Sequence, residues 1–209
     1  MQIILRLPDD STSIGLRDKV LLCIMYATGA RAQEICDLAV SNVRFSDKGA
    51  TIDIIGKGNK CRRIRISSHS AGILKKYIIH KGIEHSPNRH IFSSQTHEHM
   101  TISCIEELVK KYVFKAKALH PDKFIKSRYS PHSIRHTTAV HMLESGVPLM
   151  VIKNFLGHSS IQTTQVYAEL TQNTVDKHIQ QWNEKWFPHE INPESIRPRP
   201  DRMPDFLRP

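Results

Sequence analysis

Six polar residues stand at points where a charge or a polar ring is costly to place near a core, and their types suit the handling of an anion. Arg31 lies between two helical stretches in ATGARAQE, and Lys57 occupies the tip of a strand turn in GKGNK. His132 and Arg135, three residues apart at the start of a helix, share one face. His158 follows Gly157 in a short loop, and Tyr167 comes nine residues later in TTQVYAEL. Guanidinium groups offer forked, permanent positive charge. A tyrosine hydroxyl, with an ordinary pKa near 10, becomes a nucleophile once an adjacent base removes its proton. Taken singly, each residue also has a plainer reading. Arg31 suits a helix end or ion pair, GKG a hairpin turn, His158 a helix cap and Tyr167 an amphipathic core position. Their joint occurrence carries the argument.

Periodicity indicates the elements that must position them. A turn over Ser11 to Gly15 opens a helix through LRDKVLLCIMYAT, where Leu16, Val20, Leu21, Ile24 and Met25 recur near helical spacing and Thr28-Gly29 ends the run. A second helical stretch, ARAQEICDLA, follows at once. Val43 to Phe45 and Thr51 to Ile55 read as strands around the SDKG turn, and GKGNK leads into a third strand, CRRIRIS. There Ile64 and Ile66 alternate with Arg63 and Arg65, so one face of a small three-stranded antiparallel sheet is expected to be solvated and basic. Helices are expected over 70–81, closed by Gly82, and over 103–118, with Ser103 and Glu106 as a capping box. Ser130-Pro131 introduces a helix that runs to Ser145 before Gly146, Pro148 opens another that runs to Leu156, and a final helix is expected over 173–187. The fold class is therefore mainly α with a small three-stranded antiparallel β-sheet.

Among 209 residues, Lys and Arg number 30 against 20 Asp and Glu, a formal charge of +10. Such an excess suits a polyanionic partner. With 39% hydrophobic residues and no repeats, the composition argues against wholesale disorder and solenoids. Residues 188–209 hold prolines at 188, 193, 198, 200, 204 and 209, and their acidic residues balance their arginines, so this segment reads as an extended proline-rich tail. The net charge belongs to residues 1–187. Basic residues concentrate at Lys57, Lys60, Arg62, Arg63 and Arg65, and again at Lys110, Lys111, Lys115, Lys117, Lys123, Lys126 and Arg128. They read either as solvated faces or as contacts to a duplex backbone, which would give salt-dependent affinity and little sequence reading. Cys23, Cys36, Cys61 and Cys104 form no CxxC pair and read as reduced thiols. No metal site or cofactor is expected. No apolar run reaches membrane-spanning length, the N-terminus lacks a signal-peptide pattern, and a cytoplasmic location (nucleoid-associated in a bacterium) is expected.

The stretches GLRDKVLLCIMYATGARAQEICDL, IIGKGNKCRRIRI and SPHSIRHTTAVHMLESGVPLMVIKNFLGHSSIQTTQVYAEL together resemble the catalytic domain of the tyrosine recombinases, the phage-integrase and XerC/XerD-like family. The resemblance covers about residues 11 to 180, and six functional residues arrive in the family's order. It implies that Arg31, Lys57, His132, Arg135, His158 and Tyr167 form a catalytic set. Glu34, one helical turn from Arg31, matches an acidic position that looks like a partner for that arginine. Tyr167 would attack a scissile phosphate and leave a 3'-phosphotyrosyl link and a free 5'-hydroxyl, with His132 assisting its deprotonation. Arg31 and Arg135 would hold the non-bridging oxygens, His158 would add a donor, and Lys57 would protonate the departing 5'-oxygen.

The same resemblance implies cleavage and rejoining of double-stranded DNA in site-specific recombination or integration, by subunits that self-associate on DNA as dimers or tetramers. Lys60, Arg62, Arg63, Lys111 and Lys115 are the candidate duplex contacts. Residues 1–187 would form the catalytic domain, with 173–187 as a candidate subunit-exchange helix. The family's N-terminal DNA-clamping arm is expected to be absent, or supplied by a separate chain. The common proline near the end of the third strand is replaced by Arg65. Two other readings stay open: a type IB topoisomerase-like relaxing activity, and a catalytically idle DNA-binding fragment or accessory protein.

Overall fold

Residues 20–28 are apolar on nearly every side, so this part of the helix must be enclosed by the rest of the chain rather than laid on its surface. A computed structural model describes residues 1–94, 97–126 and 128–157, together with 179, 180 and 184. Within it the helix α2 (Ser13–Thr28) is the central element, and Val20, Leu21, Leu22, Ile24 and Met25 are fully buried. Each such side chain contributes roughly 1.5–3 kcal/mol on leaving water. Around α2 pack α1 (Gln2–Arg6), α3 (Ala32–Cys36), α4 (Ser68–His80) and α6 (Pro131–Glu144). The helices α5 (Ile102–Leu119) and α7 (Leu149–Leu156) complete the described helical set. The chain divides into two compact units, Met1–Leu170 and Thr171–Pro209. In the second, Ile179, Gln180 and Glu184 are helical, and Gln180 Nε2 donates to Glu184 Oε1 at 2.9 Å. The rest of the helix expected over 173–187, and the tail over 188–209, lie outside the described residues.

Strands β1 (Val43–Ser46), β2 (Gly49–Ile55) and β3 (Cys61–Ile66) form an antiparallel sheet in the order β1-β2-β3. The register sets Ile52 opposite both Val43 and Ile64, and Ala50 opposite Ile66. Alternation then buries Ala50, Ile52, Ile54, Ile64 and Ile66 on one face, with α4 packed against β2. The outward face is basic, as the alternation predicts, but it carries an acid at its centre. Asp53 accepts hydrogen bonds from Arg63 Nε, at 2.8 Å, and from Arg44. These bonds pull its carboxyl down to about 2.

Tertiary contacts add one element and revise two local readings. The N-terminal apolar stretch forms α1, too short to persist alone but held because Ile4 joins the core. The stretch ARAQEICDLA is helical only over Ala32–Cys36, because Ala39 leaves the helix to bridge His90 and the Leu38 carbonyl accepts Ile91 N–H at 2.8 Å. The cap of α5 is Thr101, which accepts Cys104 N–H at 3.3 Å, whereas Ser103 already lies inside the helix.

A buried acid ties α2 to α5. Asp18 is 1% exposed and accepts from Arg17 Nη2 at 2.8 Å, Lys111 Nζ at 3.1 Å and the Tyr112 hydroxyl at 3.0 Å. Burial first, then the Asp18 charge, pushes the Tyr112 phenol upward. All four cysteines are free; Cys36 is buried and Cys61 exposed. Among the described residues no helix is long and apolar enough to cross a membrane, and no cluster of metal-ligating side chains occurs.

The end of α2 sets up the site. Thr28 Oγ1 donates to the Ile24 carbonyl at 2.7 Å, and Gly29 follows in the left-handed region at φ 57°. A Cβ on Gly29 would stand 2.7 Å from Leu156 Cδ2, so both the conformation and the close approach of α7 require glycine. Gly29→Ala is expected to destabilise the protein by about 2 kcal/mol, read as a lower urea midpoint at unchanged slope.

Candidate active site

Arg31 is the N-cap residue of α3, in extended conformation directly after the Gly29 turn. Its backbone N–H donates to Glu34 Oε2 at 2.7 Å and its Nη1 to Glu34 Oε1 at 3.0 Å. The Arg31 side chain remains 40% exposed, so the carboxylate fixes it without enclosing it. A cleft of about 460 Å³ opens beside it, lined by Arg31, Glu34, Asp53, Gly56 and Asn59 among others. Lys57 opens the tight turn Lys57–Asn59 between β2 and β3, in which Gly58 and Asn59 both have positive φ.

Arg135 is buried on α6. Its Nη1 donates to the Gly29 carbonyl at 2.6 Å and its Nη2 to the Leu156 carbonyl at 2.7 Å. Those acceptors are the C-cap of α2, two residues before Arg31, and the last residue of α7, two residues before His158. One guanidinium plane is thereby fixed between the ends of two helices, each of which stops shortly before another member of the set in the chain. Thr138, one turn further along α6, donates to the Tyr26 carbonyl at 2.9 Å and holds α6 on α2.

His132 is exposed and opens on a different cleft, of about 570 Å³, which it shares with Lys126, Tyr129 and His136. Burial, with the nearby Lys126 charge, lowers the His136 pKa. The structure therefore seats the Arg135 guanidinium on the carbonyl two residues before Arg31 and on the carbonyl of Leu156, while His132 opens on a separate cleft. His158 and Tyr167 themselves lie outside the described residues.

The candidate duplex contacts divide. Lys60, Arg63 and Lys115 are exposed, and Arg63 is bound to Asp53. Lys111 is anchored on Asp18 and lies 4.8 Å from the Tyr112 ring centroid. Arg62 departs from the expectation of a surface contact. Its side chain is 12% exposed, and Nη1 and Nη2 reach Glu34 Oε1 and Oε2 at 2.9 and 2.7 Å. The signal lay in the strand: positions 62, 64 and 66 share a face, so Arg62 belongs with the two buried isoleucines and needs an acid there. Burial pushes the Glu34 carboxyl up, but hydrogen bonds from Arg62 and from the Arg31 backbone outweigh it and leave the pKa below its ordinary value.

The sequence profile of the phage integrase family matches residues 1–174. A tyrosine recombinase of Pseudothermotoga lettingae is 36% identical over 154 residues, covering 74% of this chain and 50% of that protein. The tyrosine recombinase XerD of Corynebacterium glutamicum is 34% identical over 173 residues, covering 80% and 53%. The chain thus spans about half the length of the curated relatives it matches. The backbone is similar to that of the XerH site-specific recombinase in a post-cleavage complex with palindromic difH substrate. The TM-score is 0.71 at 21% identity, over 87% of this chain and 50% of that one, a likeness of fold.

The depressed Glu34 pKa fixes a pH dependence. Its stabilising effect is complete above the unfolded-state pKa of about 4.3 and is lost as pH falls through the lower folded value. Glu34→Gln is expected to cost about 3 kcal/mol at neutral pH, by leaving buried Arg62 without its counter-charge. The difference in thermal midpoint between wild type and variant should narrow as pH drops below about 4.

Proposed function

The chain belongs to the phage integrase family, and on that footing we propose that it cuts and rejoins double-stranded DNA in site-specific recombination, through a tyrosyl–DNA ester. The observation that supports the reading is a pair of fixed guanidinium groups, that of Arg31 and that of Arg135 on the carbonyl two residues before Arg31 in the chain. Glu34 orients Arg31 while leaving it open to solvent, and Arg135 is fixed on the carbonyls of Gly29 and Leu156. Fixed positive charge of this kind needs no reorganisation when negative charge gathers on the non-bridging oxygens of a phosphodiester.

Tyr167 is the proposed nucleophile. Its oxygen attacks the scissile phosphorus as its proton leaves with the help of His132, and the bond to the 5'-oxygen breaks. Lys57 gives that oxygen a proton, and His158 adds a donor to the phosphate. The product pair is a 3'-phosphotyrosyl ester and a free 5'-hydroxyl, so the energy of the broken bond is retained and rejoining needs no nucleotide cofactor. Residues 1–187 are the proposed catalytic domain, with residues 173–187 contributing to self-association as a dimer or tetramer on DNA. The exposed Lys60, Arg63 and Lys115 would line the phosphate backbone.

A nicked suicide duplex, made from sequences flanking the coding region, should trap a covalent protein–DNA adduct that Tyr167→Phe abolishes; an adduct persisting in that variant refutes the nucleophile assignment. Arg31→Ala and Arg135→Ala should each slow single-turnover trapping by roughly 100-fold or more. Relaxation of supercoiled DNA without defined joined products would instead indicate a topoisomerase-like role. Lys60→Ala and Lys115→Ala should each reduce the salt slope of DNA affinity by about one, at unchanged thermal midpoint. Lys111→Ala should in addition lower the midpoint, because it removes a partner of buried Asp18.

A further inference from the structure

Arg62 belongs to none of the six positions above, yet it touches the surroundings of four of them. Its two Nη groups form a fork on Glu34, the same carboxylate that holds the backbone and guanidinium of Arg31. Gly157, the residue before His158, lies against it. The glycine has φ 68°, and a Cβ there would stand 3.3 Å from Arg62 Cδ and 3.4 Å from Nη1. Gly56, the residue before Lys57, faces the other partner of the pair, and a Cβ there would be 3.1 Å from Glu34 Oε1. Arg135, finally, holds the carbonyl of Leu156, one residue before Gly157. The Arg62–Glu34 pair therefore fills the space between the N-cap of α3, the turn after β2 and the end of α7.

We propose that Arg62 is a positioning residue for strand cleavage, setting the direction of Arg31 through Glu34 and bracing, through Gly157, the backbone that leads to His158. The inference rests on the strand-cleavage reading. Stability alone is a weak reason for such a pair, since apolar residues of similar volume commonly serve a buried site as well. Arg62 Nε is moreover buried without a hydrogen-bond partner among the described residues, an unfavourable state for a residue whose only duty is to fill space. What the fork supplies is orientation. A bidentate guanidinium holds both carboxylate oxygens in one plane, which a lysine, acting as a point charge, does not do.

The test is single-turnover cleavage of the nicked duplex at saturating DNA, with affinity, its salt slope and the thermal midpoint measured alongside. Arg62→Ala should slow cleavage on the order of tenfold to a hundredfold, with affinity and salt slope unchanged. Arg62→Lys should restore little of the rate, and added guanidinium ion should restore part of it in Arg62→Ala. The double variant Arg62→Ala/Glu34→Gln should be no slower than the slower single variant. If Arg62→Ala does not fold, Arg62→Met, which keeps the volume without the fork, carries the same comparison. Cleavage at the wild-type rate overturns the proposal. So does a salt slope reduced by about one, the mark of a phosphate contact, and so do losses that multiply in the double variant. Wild-type protein that binds the duplex yet forms no adduct would refute the strand-cleavage reading itself, and the proposal with it.

Discussion

A carboxylate removed from water must be surrounded by donors, and Glu34 is surrounded by the two arginines that the fold has to place. Its oxygens accept from the Arg31 backbone, from Arg31 Nη1 and from both Nη groups of Arg62. Two guanidinium charges against one carboxylate leave a surplus of positive charge in a partly water-excluded setting, where it acts over longer range than on a solvated surface. The desolvation cost of the acid is offset only if all these donors stay in place together. The orientation of Arg31 is therefore a condition of folding this corner of the molecule, not a choice left to a mobile side chain.

The same logic recurs at Arg135, with main-chain carbonyls as partners. The ends of helices leave carbonyls without internal acceptor roles, and these carry partial negative charge. Arg135 satisfies two of them, at Gly29 and Leu156, and so closes α2, α6 and α7 around one guanidinium. Core packing makes this possible at a distance. The central helix α2 is enclosed over its C-terminal half, and Gly29 lets α7 approach the end of it where any larger residue would hold the two apart. Site and core are not separable here.

Basic residues that look alike in the sequence serve different ends. Arg44 and Arg63 are drawn to Asp53 on the outward face of the sheet, Lys111 to Asp18 beneath α5, and Arg62 to Glu34. Some of the 30 Lys and Arg residues are thus paired with internal acids, whereas Lys60 and Lys115 stay at the surface. A count of cations overstates the charge available to a polyanion, because each buried or half-buried acid claims its nearest arginine or lysine first.

The sequence by itself determined the order and nature of the main elements. The spacing of Leu16 to Met25, the alternation in CRRIRI, and the Ser-Pro and Gly signals around α6 and α7 are local physics, complete within a few residues. The six proposed site positions were likewise read without coordinates, from residue types in a fixed order that resembles the family's. The register of positions 62, 64 and 66 even held the burial of Arg62, though not its partner. Only the tertiary structure decided that partner, because Glu34 comes from a helix 28 residues away in the chain. Tertiary structure likewise fixed the short helix α1, the early end of α3 at the Ala39–His90 bridge, and the seating of Arg135 on two distant carbonyls. Those outcomes depend on which groups meet after packing, and a buried charge or an open backbone carbonyl accepts whichever partner the fold brings within reach.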